Sequence, residues 1–236
     1  MTGLPRPSLT YREEDGLRLG ALLWRFGPGW RMISSAMLGG GVGRREWVLN
    51  AQVAAGYARM DPVEHMDALG PGGPGVGMMT AALVERYAAA ADGGAEAVAT
   101  VGLGVPTWAA SPEGVPDPGV PYVPEPAREA VGGGDAGAGV PRPGTINILV
   151  AVPVAFSDPA LVNAVMTVTE AKTQALLEAG FPCTGTASDA VCVAVREEGP
   201  AEAFGGPRSL WGARIARAVH RAVLDGARDW RARRAT

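Results

Sequence analysis

The sequence predicts an α/β protein, a single-domain layered sandwich in which a mixed sheet is flanked by helices and interrupted by a long insertion. Three observations favour this class. Short apolar runs of strand length recur along the chain. Residues 144–195 contain a strand, a long helix and a second strand, an order typical of a βαβ unit. Hydrophobic residues form 47% of the 236 residues, enough for one sizeable core within residues 1–236.

The N-terminal part of the chain alternates strand-like runs with glycine. Between residues 17 and 53, the runs LRLGALLWRF, WRMISSAML and REWVLNAQV surround a GGGVG loop and predict strands or hairpin arms. A helix is expected to begin near Asp61, because Pro62 suits the first helical position and Glu64 stands three residues after the cap. We therefore interpret Asp61 as a helix cap in preference to a catalytic acid.

The middle of the chain predicts a helix, a strand and an insertion. The stretch VGMMTAALVERYAAAA, residues 76–91, is rich in strong helix formers, and EAVATVGLG after it has the composition of a strand. Residues 107–143 contain eight prolines and seven glycines with almost no apolar periodicity. This composition predicts a long insertion or surface loop inside the one domain.

The C-terminal part supplies the βαβ unit and a last helix. GTINILVAVPV predicts a buried strand, residues 157–180 a long helix, and ASDAVCVAV a second strand. The final helix follows FGGPRS, and residues 213–223 place apolar side chains at helical spacing beneath a basic outer face. We expect that face to be solvated; the alternative is a surface that faces an anion or a partner.

Composition excludes several classes of function. A net charge of -3 does not favour nucleic-acid binding. No apolar run approaches the roughly 18 to 20 residues of a membrane span, and the N-terminus lacks the order of a signal peptide, so we expect a cytoplasmic protein. Two cysteines and two histidines do not predict a metal site. The chemistry is therefore expected to use carboxylates, hydroxyls, amides, the lysine or backbone groups.

Lys172 is the only lysine among 21 basic residues and falls in the middle of the long predicted helix. At about 100° per residue, one side of this helix carries a polar stripe and Lys172 lies among apolar residues on the other side. The stripe consists of Asn163, Thr167, Glu170 and Gln174. In one interpretation Lys172 reaches past the helix edge and the stripe meets water. In the other, the stripe faces a cleft and the buried ammonium pairs with a carboxylate, for which Asp189 is a reasonable partner.

A series of short motifs follows in a specific order along the chain. They are SSAMLGGG from Ser34, LNAQV around Asn50, DP at Asp61, GMMTA from Gly77, TVGLGVP from Thr100, GTINI from Gly144, LVNAVMTVTEAKTQAL from Leu161 and TGTASDAV from Thr184. In this order they resemble the adenosylcobinamide amidohydrolase family of archaeal and bacterial corrinoid salvage. Gly39 and Val105 depart from the family pattern, where an asparagine is frequent. These departures bear on specificity more than on the type of reaction.

The resemblance implies hydrolysis of the amide that joins the corrin ring to the aminopropanol arm of adenosylcobinamide, giving adenosylcobyric acid in cobalamin salvage. It implies a corrinoid small molecule as the partner and no cofactor of the protein's own, since cobalt is carried by the substrate. It is compatible with a homo-oligomer. The alternatives are a non-catalytic corrinoid-binding carrier or regulatory module, and acyl transfer in which an amine replaces water.

Hydrolysis of an amide needs a nucleophile, a base, an acid for the departing amine and donors for the oxyanion. The turn at residues 184–189 is rich in hydroxyls, and Thr186 and Asp189 are its catalytic candidates, although a polar connection before a strand has the same composition. Glu170 is the first choice for the base or acid because it lies on the polar stripe. Alternatively, Lys172 acts as the base beside Thr186.

The expected substrate-binding residues are uncharged. They are Ser34, Ser35, Gly40, Gly41, Asn50, Thr80, Asn147 and Asn163. The segment at residues 34–43 either lines a pocket for the corrin amides or the adenosyl group, or forms a tight hairpin. Asn50 and Asn147 either orient substrate amides or tie strands together, since a buried amide needs partners. Thr80 either serves the pocket or packs at a helix start, and Asn163 belongs to the polar stripe.

Overall fold

The computed structural model describes residues 4–113 and 144–234, so most of the predicted insertion, residues 114–143, lies outside the described residues. The described strands are, in chain order, β1 (Ser8–Glu14), β2 (Leu17–Arg25), β3 (Trp30–Ser34), β4 (Gly41–Arg44), β5 (Trp47–Gln52), β6 (Gly75–Thr80), β7 (Ala88–Asp92), β8 (Ala95–Val101), β9 (Pro106–Thr107), β10 (Ile146–Val152), β11 (Ala155–Phe156), β12 (Gly185–Thr186), β13 (Ala190–Arg196) and β14 (Ala201–Glu202). The α-helices are α1 (Pro62–Leu69), α2 (Asp158–Glu178) and α3 (Leu210–Arg234).

Two sheets form the centre of the fold. The larger sheet has six strands in the order β4-β3-β13-β10-β8-β7, and the smaller has four in the order β1-β2-β5-β6. In the larger sheet β10 and β13 are parallel and the other pairs are antiparallel, so the sheet is mixed, as predicted. Because α2 connects the parallel strands β10 and β13, the predicted βαβ unit is confirmed.

Strand β10 is buried on both faces because layers cover the larger sheet on each side. Ile148 and Val150 pack with residues of α2 and α3, whereas Leu149 packs with residues of the smaller sheet such as Met78. A strand covered on both faces gives a continuous apolar run instead of an alternating one. This accounts for the unbroken hydrophobic character of INILVAV.

The α/β class is confirmed, and the structure shows what covers each face. Helices α2 and α3 lie on one face of the larger sheet, and the smaller sheet lies on the other. Helix α1 packs on the outer face of the smaller sheet, where Met66 joins a cluster with Trp47 and Leu49. The flanking layer on that side is therefore a second sheet with a helix behind it.

The helix predicted over residues 76–91 is wrong. These residues form β6, a short 3-10 turn at Val84–Arg86, and β7. Val76 and Met78 of β6 enter the core between the sheets, and Ala88–Asp92 pairs with β8 while α3 packs against it. Helix propensity is a weak prior that such tertiary contacts override.

The three α-helices lie where the sequence predicted helices. Helix α1 begins at Pro62 as predicted, but the Asp61 side chain makes no capping hydrogen bond and pairs with Arg59 instead. The apolar face predicted for α3 is fully buried, and on its basic face Arg217 and Arg221 contact Asp92. Within the described residues, no helix combines the length and hydropathy required to cross a membrane.

We predict that a side chain at residue 39 is much less tolerated than one at residue 41. Both glycines have positive φ, +71° and +77°, but a Cβ at Gly39 would meet the carbonyl oxygen of Gly75 at 1.8 Å, whereas a Cβ at Gly41 meets nothing within 4 Å. Positive φ costs each alanine about 1–2 kcal/mol. Gly39→Ala should lose about 1–3 kcal/mol more of unfolding free energy than Gly41→Ala, because overpacking typically costs that amount.

Urea unfolding followed by circular dichroism measures both variants. Equal losses would mean that strand β6 moves away from residue 39 without a significant penalty.

Candidate active site

The predicted partnership between Lys172 and Asp189 is confirmed. Lys172 Nζ lies 2.5 Å from Asp189 Oδ2, and the two side chains are only 9% and 11% exposed. The interpretation in which Lys172 extends into water is therefore wrong. A buried ammonium needs a charged partner, and the turn before β13 supplies it.

The Asp189 carboxylate is held by donors on both of its oxygens. Oδ1 accepts hydrogen bonds from the Thr186 hydroxyl at 2.5 Å and from the Ile146 N–H at 2.9 Å. Oδ2 accepts from Lys172 and from the Thr186 N–H at 3.1 Å. A carboxylate offers about four lone-pair positions, so these four donors fill them. Asp189 thus fixes the orientation of the Thr186 hydroxyl; we refer to Lys172, Asp189 and Thr186 as the lysine cluster.

Gly185 makes room for the lysine cluster. A Cβ at this position would meet Asp189 Oδ2 at 2.2 Å and Lys172 Nζ at 2.5 Å. In the structure the space is filled by the ion pair of the protein itself, which requires a residue without a side chain here.

An open cleft of about 450 Å³ lies between the two sheets, where β10 and β13 begin. Its polar groups come from Ser35, Tyr57, Thr80, Thr145, Ser188 and Asp189, and its apolar surface includes Met37, Val53 and Met79. Asp189 belongs to both, so the cleft adjoins the lysine cluster, but Thr186 and Lys172 are not among the residues that line it. The hydroxyls of Thr145 and Ser188 lie 2.8 Å apart and form a second hydroxyl group beside it.

Glu170 and Asn163 do not lie in this cleft, which corrects the expectation that the polar stripe and the 184–189 turn face one crevice. Glu170 is exposed and lines a separate groove between α2 and α3, with Gln174 and His220. Asn163 is half-buried near Gly206 on that side of α2. Glu170 and Gln174 are exposed, so this part of the stripe meets water, as the alternative interpretation expected, and α3 forms the other side of the groove.

The segment at residues 34–43 contributes one of its four candidates to the cleft. Ser35 lines the cleft, and its hydroxyl accepts a hydrogen bond from the Val191 N–H at 3.0 Å. Ser34 is buried and donates to the Val191 carbonyl at 2.9 Å. Gly40 and Gly41 are exposed and are not among the residues that line the cleft. The hairpin alternative therefore describes these glycines best.

Asn50 and Asn147 tie the two sheets together. Asn147 donates to Asn50 Oδ1 at 2.8 Å and to the Met79 carbonyl at 2.9 Å, and Asn50 donates to the Thr100 hydroxyl at 3.0 Å. Both amides are buried and both NH2 groups bond to the protein, which favours the structural alternative, whereas Asn147 Oδ1 has no partner among the described residues. Thr80 lines the cleft, and its hydroxyl accepts from the Ala82 N–H at 3.0 Å.

Sequence reasoning missed a second group of titratable residues beside the cleft. The Tyr57 hydroxyl lies 2.9 Å from Nδ1 of His65, and Nε2 of His65 lies 3.3 Å from Oε1 of Glu14. We refer to these three residues as the histidine relay. The sequence did contain one indication of this group, because His65 is one of only two histidines and falls on the helix predicted to begin near Asp61. Glu14 is distant in sequence and gave no signal.

Comparison with known proteins identifies the family. A sequence model described as adenosylcobinamide amidohydrolase matches residues 7–235. The chain belongs to the adenosylcobinamide amidohydrolase family. An adenosylcobinamide amidohydrolase of Methanosarcina mazei is 36% identical over 94 residues, which cover 36% of this chain and 47% of that protein. The match thus spans about half the length of that relative. The resemblance inferred from the ordered motifs is confirmed.

We predict that Lys172 and Asp189 are energetically coupled. Lys172→Met leaves a buried carboxylate without its counter-charge, which should lower the unfolding free energy by about 3–5 kcal/mol. The double variant Lys172→Met/Asp189→Asn should lose clearly less than the sum of the single losses, because it leaves no unpaired charge.

Glu170→Gln, on the same helix but exposed, is the matched control and should change stability by less than about 0.5 kcal/mol. Denaturant unfolding of the four variants measures the coupling. Strictly additive losses would show that the two side chains do not depend on one another.

Proposed function

We propose that this chain hydrolyses the amide between the corrin ring and the aminopropanol arm of adenosylcobinamide, giving adenosylcobyric acid in cobalamin salvage. The observation that carries the proposal is the lysine cluster, in which a buried ion pair holds the half-buried Thr186 and Asp189 also lines the cleft. Membership of the adenosylcobinamide amidohydrolase family supports the substrate class. In this proposal cobalt enters as part of the substrate, and the protein provides no cofactor of its own.

Thr186 is the nucleophile in this proposal. Its hydroxyl donates to Asp189 at 2.5 Å, and Lys172 keeps that carboxylate in place. The Thr186 oxygen attacks the amide carbon while its proton passes to Asp189. The arm then leaves as an amine, and water hydrolyses the resulting ester, which returns the hydroxyl to Thr186. A preoriented hydroxyl–carboxylate pair reduces the entropy lost on reaching the transition state.

Other nucleophiles are less well prepared. Burial raises the pKa of the Cys192 thiol to about 12, so that the thiol is protonated at neutral pH. The Ser188 hydroxyl contacts the Thr145 hydroxyl and donates to the Gly144 carbonyl at 3.3 Å, and neither partner is a base. Only the Thr186 hydroxyl, among these three groups, has a carboxylate as its hydrogen-bond acceptor.

The size of the cleft suggests how the substrate binds. The cleft has a volume of about 450 Å³. Pockets that bind small molecules have volumes of roughly 300–1,000 Å³, so the cleft can hold a small ligand or one part of a larger one. The aminopropanol arm and its amide fit this scale, whereas the corrin macrocycle is much larger. We therefore propose that the arm enters and the macrocycle stays at the mouth, where Met37, 55% exposed, offers apolar surface.

Incubation of the purified protein with adenosylcobinamide tests the proposal, with corrinoids and released aminopropanol identified by mass spectrometry. We predict release of adenosylcobyric acid and aminopropanol by the wild-type protein. Thr186→Ala should lower kcat by at least about 10³-fold because it removes the nucleophile, and Thr186→Ser should retain part of the activity. The kcat of Glu170→Gln should remain within about twofold of the wild-type value, because Glu170 lies in the other groove and does not contact the reacting atoms.

The alternatives give different results. Unchanged substrate that co-purifies with the protein would indicate a corrinoid carrier. A new corrinoid amide, formed only when a second amine is added, would indicate acyl transfer. Full turnover by Thr186→Ala would remove Thr186 as the nucleophile while leaving the hydrolase proposal intact.

A further inference from the structure

The proposed hydrolysis lacks one component, a proton donor for the departing amine. An alkylamine leaves an amide as a neutral molecule only when its nitrogen gains a proton as the C–N bond breaks. The Lys172 ammonium is buried and directed at Asp189, and the Asp189 carboxylate already accepts four hydrogen bonds. In the proposed reaction Asp189 holds the Thr186 proton and returns it to the same oxygen, and Lys172 stays paired with Asp189. The donor for the amine is therefore sought in another part of the cleft.

The histidine relay reaches the cleft through Tyr57, which lines it. Behind Tyr57, the imidazole of His65 is 6% exposed and stacks near-parallel on the phenol ring, with 5.6 Å between ring centroids. Glu14 Oε2 is held by the Arg12 guanidinium at 2.7 Å, which leaves Oε1 directed at His65. The Glu14 carboxylate, the His65 imidazole and the Tyr57 hydroxyl thus form a chain of three groups that ends at the cleft.

We propose that Tyr57 is a catalytic residue that donates the proton to the departing amine, with His65 and Glu14 as positioning residues that supply and hold that proton. The inference rests on the proposed hydrolase function. It assigns chemistry to a buried histidine that the lysine cluster does not use.

The proton path is balanced when His65 starts as an imidazolium. Nε2–H then faces the Glu14 carboxylate, and Nδ1–H donates to the Tyr57 oxygen, which turns the phenolic hydrogen towards the cleft. As the C–N bond breaks, Tyr57 gives its hydrogen to the amide nitrogen and takes the Nδ1 proton in return. His65 becomes neutral, Tyr57 remains a phenol, and the amine leaves carrying the proton.

Hydrolysis of the ester reverses the transfer. The attacking water gives one proton through Tyr57 to the neutral His65, which restores the imidazolium, while the proton held by Asp189 returns to the Thr186 oxygen. The sum is one amide and one water converted into one acid and one amine. No oxidant, reductant or further reactant is required.

The surroundings of Tyr57 keep it in the phenol form that this path requires. Burial raises the pKa of Tyr57, with Asp61 and Glu14 acting in the same direction and Arg59 and Arg12 in the opposite direction. The phenol consequently stays protonated at neutral pH. An imidazole has two ring nitrogens that can each carry a proton, and in His65 one faces Tyr57 and the other Glu14, so His65 suits the role of proton store.

The test compares Tyr57→Phe with wild type and with Tyr87→Phe, a control that removes a phenol outside the cleft. We expect Tyr57→Phe to lower kcat on adenosylcobinamide by about 10²–10⁴-fold with KM little changed, which is the range for loss of a general acid. Tyr87→Phe should match wild type. On a 4-nitroanilide of adenosylcobyric acid, whose amine leaves without prior protonation, most of the Tyr57→Phe deficit should disappear.

Glu14→Gln provides a second readout that keeps the phenol in place. Removing the carboxylate takes away the group that holds the imidazole behind Tyr57, so kcat on adenosylcobinamide should fall by about tenfold or more with KM little changed, and most of this deficit should disappear on the 4-nitroanilide. A merely structural bond would change thermal unfolding and leave equal deficits on the two substrates. The comparison of the two substrates with Glu14→Gln also decides the question if Tyr57→Phe does not fold.

The outcomes separate the two proposals. Active wild type with an impaired Tyr57→Phe that recovers on the nitroanilide supports the relay. Active wild type with Tyr57→Phe at normal kcat, or with equal deficits on both substrates, overturns the relay and leaves the hydrolase function standing. Wild type without turnover overturns both.

Discussion

The buried ion pair between Lys172 and Asp189 determines how the centre of this protein is put together. It links the middle of α2 to the residue just before β13, and the N–H of Ile146 at the start of β10 donates to the same carboxylate. One anion therefore fixes the helix against the beginnings of both parallel strands. Such a pair adds little net stability compared with apolar residues of similar volume, but separating its members is strongly unfavourable. Its effect is to make this arrangement of helix and strands specific.

The second sheet turns that arrangement into a site. Strands β10 and β13 begin at the edge of the larger sheet, and β6 of the smaller sheet ends beside them, so the gap between the sheets opens where Thr145, Ser188 and Thr80 lie. Asn147, two residues after Thr145, donates a hydrogen bond to Asn50 on the other sheet. Because a buried amide N–H group needs a hydrogen-bond acceptor, this contact fixes the spacing of the two sheets close to the cleft.

The sequence predicted the parts of the structure whose energetics are local or strongly constrained. Lys172 on an apolar helix face required a nearby carboxylate, and Asp189 was the nearest one after the helix. Helical periodicity correctly grouped Glu170 with the rest of the polar stripe. It carried no information about which element lies opposite the stripe, so the groove between α2 and α3 was not predicted. Residues 76–91 have helix-forming composition, and only the pairing of β6 with β5 and of β7 with β8 makes them strands. The contact between Glu14 and His65 joins residues far apart in sequence, beyond the reach of any local pattern.

The two polar groups beside the cleft come from different layers, and this has a mechanical consequence. The lysine cluster belongs to the larger sheet with its helix, whereas Tyr57 follows β5 and is held by His65 on α1 and by Glu14 on β1, all on the side of the smaller sheet. The distance between a hydroxyl at Thr186 and a proton donor at Tyr57 is therefore set by the packing of the core between the sheets, where Leu149 and Met78 meet. In the proposed reaction these two groups act on one amide. Since misplacement by about 1 Å can reduce a rate 10²-fold, the residues of that core would govern the geometry of this reaction without touching the substrate.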